Sequence, residues 1–163
     1  MKTVKLLIFL LIALLLVFPA HATQHSTATG TVSGNSGSTI TERRIADNNT
    51  FITATGMLAF SGAIQGEGPT TTTGVIHNST GIAQVKVDME FSGTVMGSQP
   101  GTMEILLIGV FTGFGTPATT LEGHLVLNDG TEGLAGIHGE GTLVATSIES
   151  GITYSVNIHF DPT

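Results

Sequence analysis

From Gln84 to Val95 the chain alternates: Val85, Val87, Met89, Phe91 and Val95 are apolar, whereas Gln84, Lys86, Asp88, Glu90, Ser92 and Thr94 are polar. Successive side chains of a strand point to opposite faces, so this rhythm describes a β-strand with one buried and one wet face. The rhythm returns near the C-terminus, where Ile152, Tyr154, Val156, Ile158 and Phe160 alternate with Thr153, Ser155, Asn157, His159 and Asp161. No helical period competes with it, so the chain is constrained to an all-β fold.

Turn chemistry divides the rest. Asn35-Ser36-Gly37, Gln99-Pro100-Gly101, Gly115-Thr116-Pro117 and Asn128-Asp129-Gly130 supply residues suited to tight reversals. About eight strands follow from this punctuation. They are expected at Ser38 to Ile45, Phe51 to Phe60, Ile64 to His77, Ala83 to Val95, Thr102 to Phe114, Thr119 to Leu127, Gly139 to Ser147 and Ile152 to Phe160. Many short strands with few charges and abundant glycine favour an antiparallel barrel or a sandwich, since either removes exposed edges. One strand breaks the rhythm. Ile105 to Phe111 is apolar on both faces, and Leu106, Ile108 and Val110 together require a cover. A subunit interface is one cover; the N-terminal segment of the same chain is the other.

The chain opens with Lys2 and Lys5, an unbroken apolar run from Leu6 to Phe18, and then Pro19 and Ala20-His21-Ala22. That is the three-part pattern of a secretory signal cut after Ala22, and its apolar run is short of the roughly 20 residues that span a bilayer. The expectation is a leader over 1–22, a flexible or edge-strand segment over 23–37, and one domain over 38–163 in a secreted or periplasmic protein. No membrane span is expected in the mature chain. The chain has no cysteine, so disulfides contribute nothing and stability rests on packing and on sheet hydrogen bonds. Without the leader, three basic residues face twelve acidic ones, a formal charge of −9, which argues against a nucleic-acid partner.

Four blocks carry a resemblance: Ser61 to Gly68 (Ser-Gly-Ala-Ile-Gln-Gly-Glu-Gly), Phe91 to Val95, Pro100 to Met103, and Gly130 to Thr142. In order and spacing they resemble the domain of unknown function 3224 family, which belongs with barrels similar to allene oxide cyclase and the dirigent proteins. The resemblance covers about Thr53 to Asp161 and implies an eight-stranded antiparallel barrel, often in a small homo-oligomer. Two departures stand out. Glu132 and Gly133 are exchanged relative to a Gly-Thr-Gly-Glu-Leu pattern, and Leu106-Leu107 stand where the family tends to carry Gln-His.

Candidate chemistry is sparse. Gly66-Glu67-Gly68 and Gly139-Glu140-Gly141 echo each other, and paired carboxylates act as acid and base when burial separates their pKa values. The competing reading is that the glycines let strands bend and leave the glutamates in water. His138 and Glu140 share a strand face, but a zinc site needs a third ligand and none has metal spacing, so no metal or other cofactor is expected. No Gly-x-Ser-x-Gly elbow, phosphate loop or dinucleotide fingerprint is present. Asn48-Asn49-Thr50 and Asn78-Ser79-Thr80 fit the glycosylation acceptor pattern.

Three functions fit these residues. The first is a binding or interaction barrel with a small lipophilic ligand, its pocket drawn from Met57, Val87, Met89, Phe91, Met103, Leu125, Tyr154 and Val156. Leu106, Ile108 and Val110 would then form a homo-oligomer contact through the 105–111 strand. The second is an isomerase or cyclase acting on a lipid-like substrate, for which Glu67, Glu104, Glu140 and His138 are the catalytic candidates. A fold-level analogy is its warrant, and such analogies say little about activity. The third is a structural envelope or matrix component.

Overall fold

The computed structural model describes residues 25–34 and 38–161; the expected leader and the Asn35-Ser36-Gly37 turn lie outside the described residues. The alternating stretches become strands with the expected faces. Along Ile82–Val95, Met89, Phe91 and Val95 are buried while Lys86, Asp88 and Glu90 are exposed. Along Ile152–Phe160, Tyr154, Val156 and Ile158 are buried against exposed Thr153, Ser155 and Asn157.

In chain order the strands are β1 (Ser26–Gly34), β2 (Thr39–Ala46), β3 (Asn49–Gly62), β4 (Ile64–His77), β5 (Ile82–Val95), β6 (Gly101–Thr112), β7 (Thr120–Asn128), β8 (Ile137–Ala145) and β9 (Ile152–Phe160). All pairings are antiparallel, and the run from β3 to β9 is a simple meander of neighbours. Closure comes from β1. One of its edges pairs with β9, from Ser26↔Ile158 to Val32↔Ile152, and the other pairs with the end of β3, from Gly30↔Gly62 to Gly34↔Leu58. The result is a closed eight-stranded barrel of β1 and β3 to β9, as expected.

The ninth strand, β2, lies against the first half of β3, from Thr39↔Thr55 to Ala46↔Asn49, and has no other strand partner among the described residues. The roles of the first two strands are therefore the reverse of the expectation. The segment expected to be flexible or an edge is a central barrel strand, and the strand expected to open the barrel is its one extra edge. The chain enters the barrel at Ser26 rather than at Ser38. The hairpin that joins β2 to β3 was also unmarked in the sequence reading. It turns on Asp47 and Asn48, with φ of 49° and 61°, the left-handed pair that a tight two-residue hairpin requires and that Asp and Asn tolerate best after glycine.

β1 carries so weak an apolar signal because its neighbours supply the bulk. Only Ala28 and Val32 are buried along it. Gly30 sits between them, and a Cβ there would collide with the Ser61 carbonyl and lie 2.5 Å from the Tyr154 hydroxyl. Tyr154 fills that space. Its ring lies 5.5 Å from Phe60, which meets Phe91 edge-on at 6.1 Å. Its hydroxyl accepts a hydrogen bond from Ile64 N–H at 2.8 Å and has the Ser61 and Ile64 carbonyls at 3.2 and 3.4 Å as acceptors for its proton. One side chain of β9 thus reaches across the interior to hold the β3–β4 turn.

At this end of the barrel Leu134, from the short 3-10 turn Glu132–Leu134, is fully buried beneath the strands. On β6, Ile105 and Leu107 point inward and are buried, whereas Ile108 and Val110 remain 51% and 42% exposed on the outer face. The described part of the N-terminal segment does not cover them. β1 is built into the wall, four strands away from β6 in either direction. No helix among the described residues is long and apolar enough to cross a membrane.

Tyr154→Phe removes the hydroxyl that accepts the buried Ile64 N–H and is expected to cost about 1–3 kcal/mol in urea unfolding. Burial raises the Tyr154 phenol above its ordinary 10.0, opposed by the hydrogen bond to the Ile64 backbone. The unfolded chain then loses this proton first. The stabilisation is fully present below about pH 10 and falls as pH rises from there through the higher folded value. Tyr154 is the chain's single tyrosine, so its phenolate absorbance reports the event directly. Titration at the ordinary pH with no change in the alkaline unfolding of Tyr154→Phe would refute the assignment.

Candidate functional site

The barrel interior has two unlike halves. Around Phe60, Phe91, Met89, Met103, Leu127 and Tyr154 it is packed with buried side chains. Toward the other end lies a cavity of about 120 Å3, lined by Val32, Leu58, Val85, Val87, Leu107, Gly109, Phe111, Leu121, Leu143 and Ile152. None of these carries a polar side chain. Apart from Phe111, the inward residues there are smaller than the aromatics of the packed half. Gly109 forms part of its wall, where a Cβ would meet Leu121 Cδ1 at 2.8 Å.

Of the residues expected to line a pocket, Val87 reaches this recess. Met89, Phe91, Met103, Leu125, Tyr154 and Val156 are buried in the packed interior, and Met57 lies on the outside, 36% exposed. The sequence missed the other nine lining residues, Val32, Leu58, Val85, Leu107, Gly109, Phe111, Leu121, Leu143 and Ile152. Leu58, Leu121, Leu143 and Ile152 are inward residues of alternating strands, so their direction was legible, but the distance along the barrel axis at which packing gives out was not. Leu107 is informative. It occupies the place where the resembled family pattern has His, and it puts a hydrocarbon into the recess.

The catalytic candidates stand elsewhere. Glu67, Glu104, Glu140 and His138 are all exposed on outward positions. Within the echo, the inward partners are the glycines. A Cβ on Gly66 would meet Phe91 Cζ at 2.7 Å, one on Gly68 would run into the Glu90 carbonyl, and one on Gly141 would lie 2.5 Å from Val156 Cα. The Gly-Glu-Gly pattern therefore reflects tight strand approach, with each glutamate turned to water.

Two polar clusters occupy the outside. Asp88, Glu90 and Glu104 border a groove of about 500 Å3 with Thr55, Thr71 and Asn128, and Glu90 and Glu104 are direct cross-strand partners. Like charges opposed in this way are destabilising. The second cluster is a row of imidazoles. His138 and His159 are cross-strand partners with rings stacked at 5.3 Å, and His25 lies 5.1 Å beyond His159. His138 Nε2 contacts Asp161 Oδ2 at 3.2 Å, and Glu140 and Asn157 line the same groove. Of the other histidines, His124 is exposed on β7 and His77 Nδ1 lies 2.7 Å from Asn49 Oδ1. Among the described residues no three His, Asp or Glu side chains are gathered so as to hold a metal. The two acceptor-pattern asparagines, Asn48 and Asn78, are exposed in neighbouring turns joined by the bond from Asn78 N–H to the Asn48 carbonyl.

No family model matches the chain, and no curated protein matches it. Among solved structures, a protein of unknown function from the DUF3224 family of Shewanella oneidensis MR-1 is similar at a TM-score of 0.64, with 19% identity over 86% of this chain and 100% of that one. The chain shares the fold of a DUF3224 family protein. The likeness bears out the fold that the resemblance implied, the eight-stranded antiparallel barrel. It extends beyond the expected Thr53 to Asp161, since 86% of the chain is covered. The DUF3224 neighbour is itself of unknown function, so it brings no reaction to this site.

Relief of the opposed carboxylates is measurable. Glu104→Gln or Glu90→Gln is expected to raise stability by about 0.5 kcal/mol at low salt, with the gain shrinking as salt is added. Chemical denaturation at two ionic strengths checks this, and a loss of stability in both variants would show that the pair is held by something other than its neighbours in the sheet.

Proposed function

We infer that this protein is a non-enzymatic binding barrel that takes a small apolar group into the recess bounded by Val87, Leu107 and Leu143. The observation that carries this reading is the chemistry of the lining: ten residues, none with a polar side chain, around a volume of about 120 Å3. A dry hydrocarbon cavity of about 150 Å3 is known to admit benzene, whereas drug-sized ligands need several hundred. The matching ligand is therefore one small ring or the end of an acyl chain. The absence of a polar anchor gives little selectivity among such groups. An isomerase that uses a carboxylate on its substrate would need Glu67, Glu104 or Glu140 facing inward, and all three face out.

A specific observation supports a second, compatible reading, self-association. Ile108 and Val110 leave large apolar surface in water on the outer face of β6. The same groove continues to Phe51 and Val75. An exported domain of net charge −9 with this apolar stripe is suited to pair with a second copy of itself, each covering the other's β6. Export itself, to the periplasm or beyond, stays an inference from the leader pattern.

Saturating benzene or a short alkylbenzene is expected to stabilise the domain by about 2.7 kcal/mol at a hundredfold excess over Kd. Val87→Phe fills the recess and is expected to abolish that shift while leaving the fold intact by circular dichroism. No thermal shift with any small apolar compound, together with no species released by solvent extraction of the exported protein, would overturn the reading. For the second reading, sedimentation is expected to show a dimer that Ile108→Asp with Val110→Asp converts to a monomer. A wild-type monomer at high concentration removes it.

A further inference from the structure

Past the closed barrel the wall continues on one side. β1 pairs with β3 as far as Gly34↔Leu58 and with β9 as far as Val32↔Ile152, whereas β3 runs on to Asn49 between β2 and β4. The recess lies at this end, with Val32, Leu58 and Ile152 in its wall. β2 is therefore a lip beyond the last rung of the barrel, and one of its faces continues the inner surface. A Cβ on Gly74 would meet Val85 Cγ1 at 3.1 Å and Ile52 Cγ1 at 3.5 Å, so Ile52 and Val85 flank Gly74 on one face, and Val85 lines the recess. Arg43 is the direct partner of Ile52, and Ile45 of Thr50. Cross-strand partners share a face, so both side chains of β2 stand on the recess side. Ile40 joins them. Unbroken alternation would turn it away from Arg43, but the register shift between Ile40 and Glu42 sets it opposite Ala54, which shares the face of Ile52.

The inner face of the lip is thus Ile40, Arg43 and Ile45, with the two isoleucines 58% and 63% exposed. Its charge is unanswered. Of the three cationic side chains among the described residues, Lys86 holds Asp88 at 2.9 Å, and Arg44, on the opposite face of β2, lies 4.3 Å over the Phe51 ring. Arg43 has no carboxylate or ring partner among the described residues.

We propose that Arg43 holds the carboxylate of a single-chain amphiphile whose hydrocarbon tail crosses Ile52 and Gly74 and ends in the recess. The assignment rests on the reading of the recess as an apolar binding site and adds the headgroup that the recess itself lacks. The row Arg43, Ile52, Gly74, Val85, Gly109 is continuous across the sheet, and its far members, Val85 and Gly109, line the recess. Three strand spacings, about 14 Å, separate Arg43 from Val85, which calls for an alkyl chain between head and tail end rather than a ring bearing its own carboxylate. Gly74 leaves a trough between the Ile52 and Val85 side chains along that line. The guanidinium fork matches a carboxylate in bidentate geometry, and its place at an exposed lip spares both charges full desolvation. Ile40 and Ile45 cover the first methylenes of the chain. In a domain of formal charge −9 an anion finds its one unpaired described cation here.

The test measures binding of laurate and of its uncharged counterpart dodecanol to the wild-type protein, Arg43→Gln, Arg43→Lys and Val87→Phe, with benzene as the probe of the recess alone. Laurate is expected to bind the wild type with an affinity that falls as salt is added, about tenfold more weakly in Arg43→Gln, and with partial recovery in Arg43→Lys. Dodecanol and benzene are expected to bind the wild type and Arg43→Gln alike, and Val87→Phe to weaken all three. Laurate bound equally well by the wild type and Arg43→Gln, or an Arg43-dependent laurate affinity that Val87→Phe leaves unchanged, would overturn the proposal. A wild type that takes benzene but holds laurate no better than dodecanol removes the headgroup site and leaves the recess standing. One that takes neither benzene nor laurate removes both.

Discussion

The sheet closes because β1 finds two partners at once, and Tyr154 makes that place fit. Without β1, β9 and the end of β3 would each present unpaired N–H and C=O groups to solvent, the edge hazard that open sheets must otherwise manage by other means. Gly30 gives up its side chain so that the Tyr154 ring can lie under β1. In return the hydroxyl reaches the β3–β4 turn at Ile64 and Ser61. A strand with only two buried apolar side chains is thus held by backbone pairing on both edges and by another strand's aromatic ring beneath it. In a chain without cysteine this arrangement does the work a cross-link would do elsewhere.

Closure also decides what the interior offers. A narrow eight-stranded barrel is filled by its own side chains or left with room for one small ligand. Here both occur along one axis. Phe60, Phe91 and Tyr154 occupy one half, and where the inward positions fall to valine, leucine and glycine the packing leaves the recess around Val87 and Leu107. No titratable group lines the recess, so that half of the interior favours hydrocarbon. The carboxylate and imidazole clusters stand on the outside wall, where the opposed Glu90 and Glu104 lie on one side and the His25, His159 and His138 row on another. The exposed apolar positions of β6, Ile108 and Val110, follow Glu104 on the outer face of the same strand, leaving a surface with acidic, imidazole and hydrocarbon zones.

The period-two rhythm and the turn residues between its runs determined that this chain is antiparallel β, which side chains of β5 and β9 face inward, and where most strands begin and end; β4 and β9 have the bounds read from the residues. It also fixed that Gly-Glu-Gly segments put glycine and glutamate on opposite faces. These are local properties, because the direction of a side chain follows from its neighbours along the chain. Tertiary structure alone decided that Ser26–Gly34 closes the barrel while Thr39–Ala46 is left as the extra edge, because a strand's pairing depends on the bulk and hydrogen-bonding groups of residues more than a hundred positions away. It alone set the level at which the core gives way to a recess, and it alone brought His25 to His159. Contacts between distant segments are chosen by the shape of the closed sheet, and no window of sequence contains that shape.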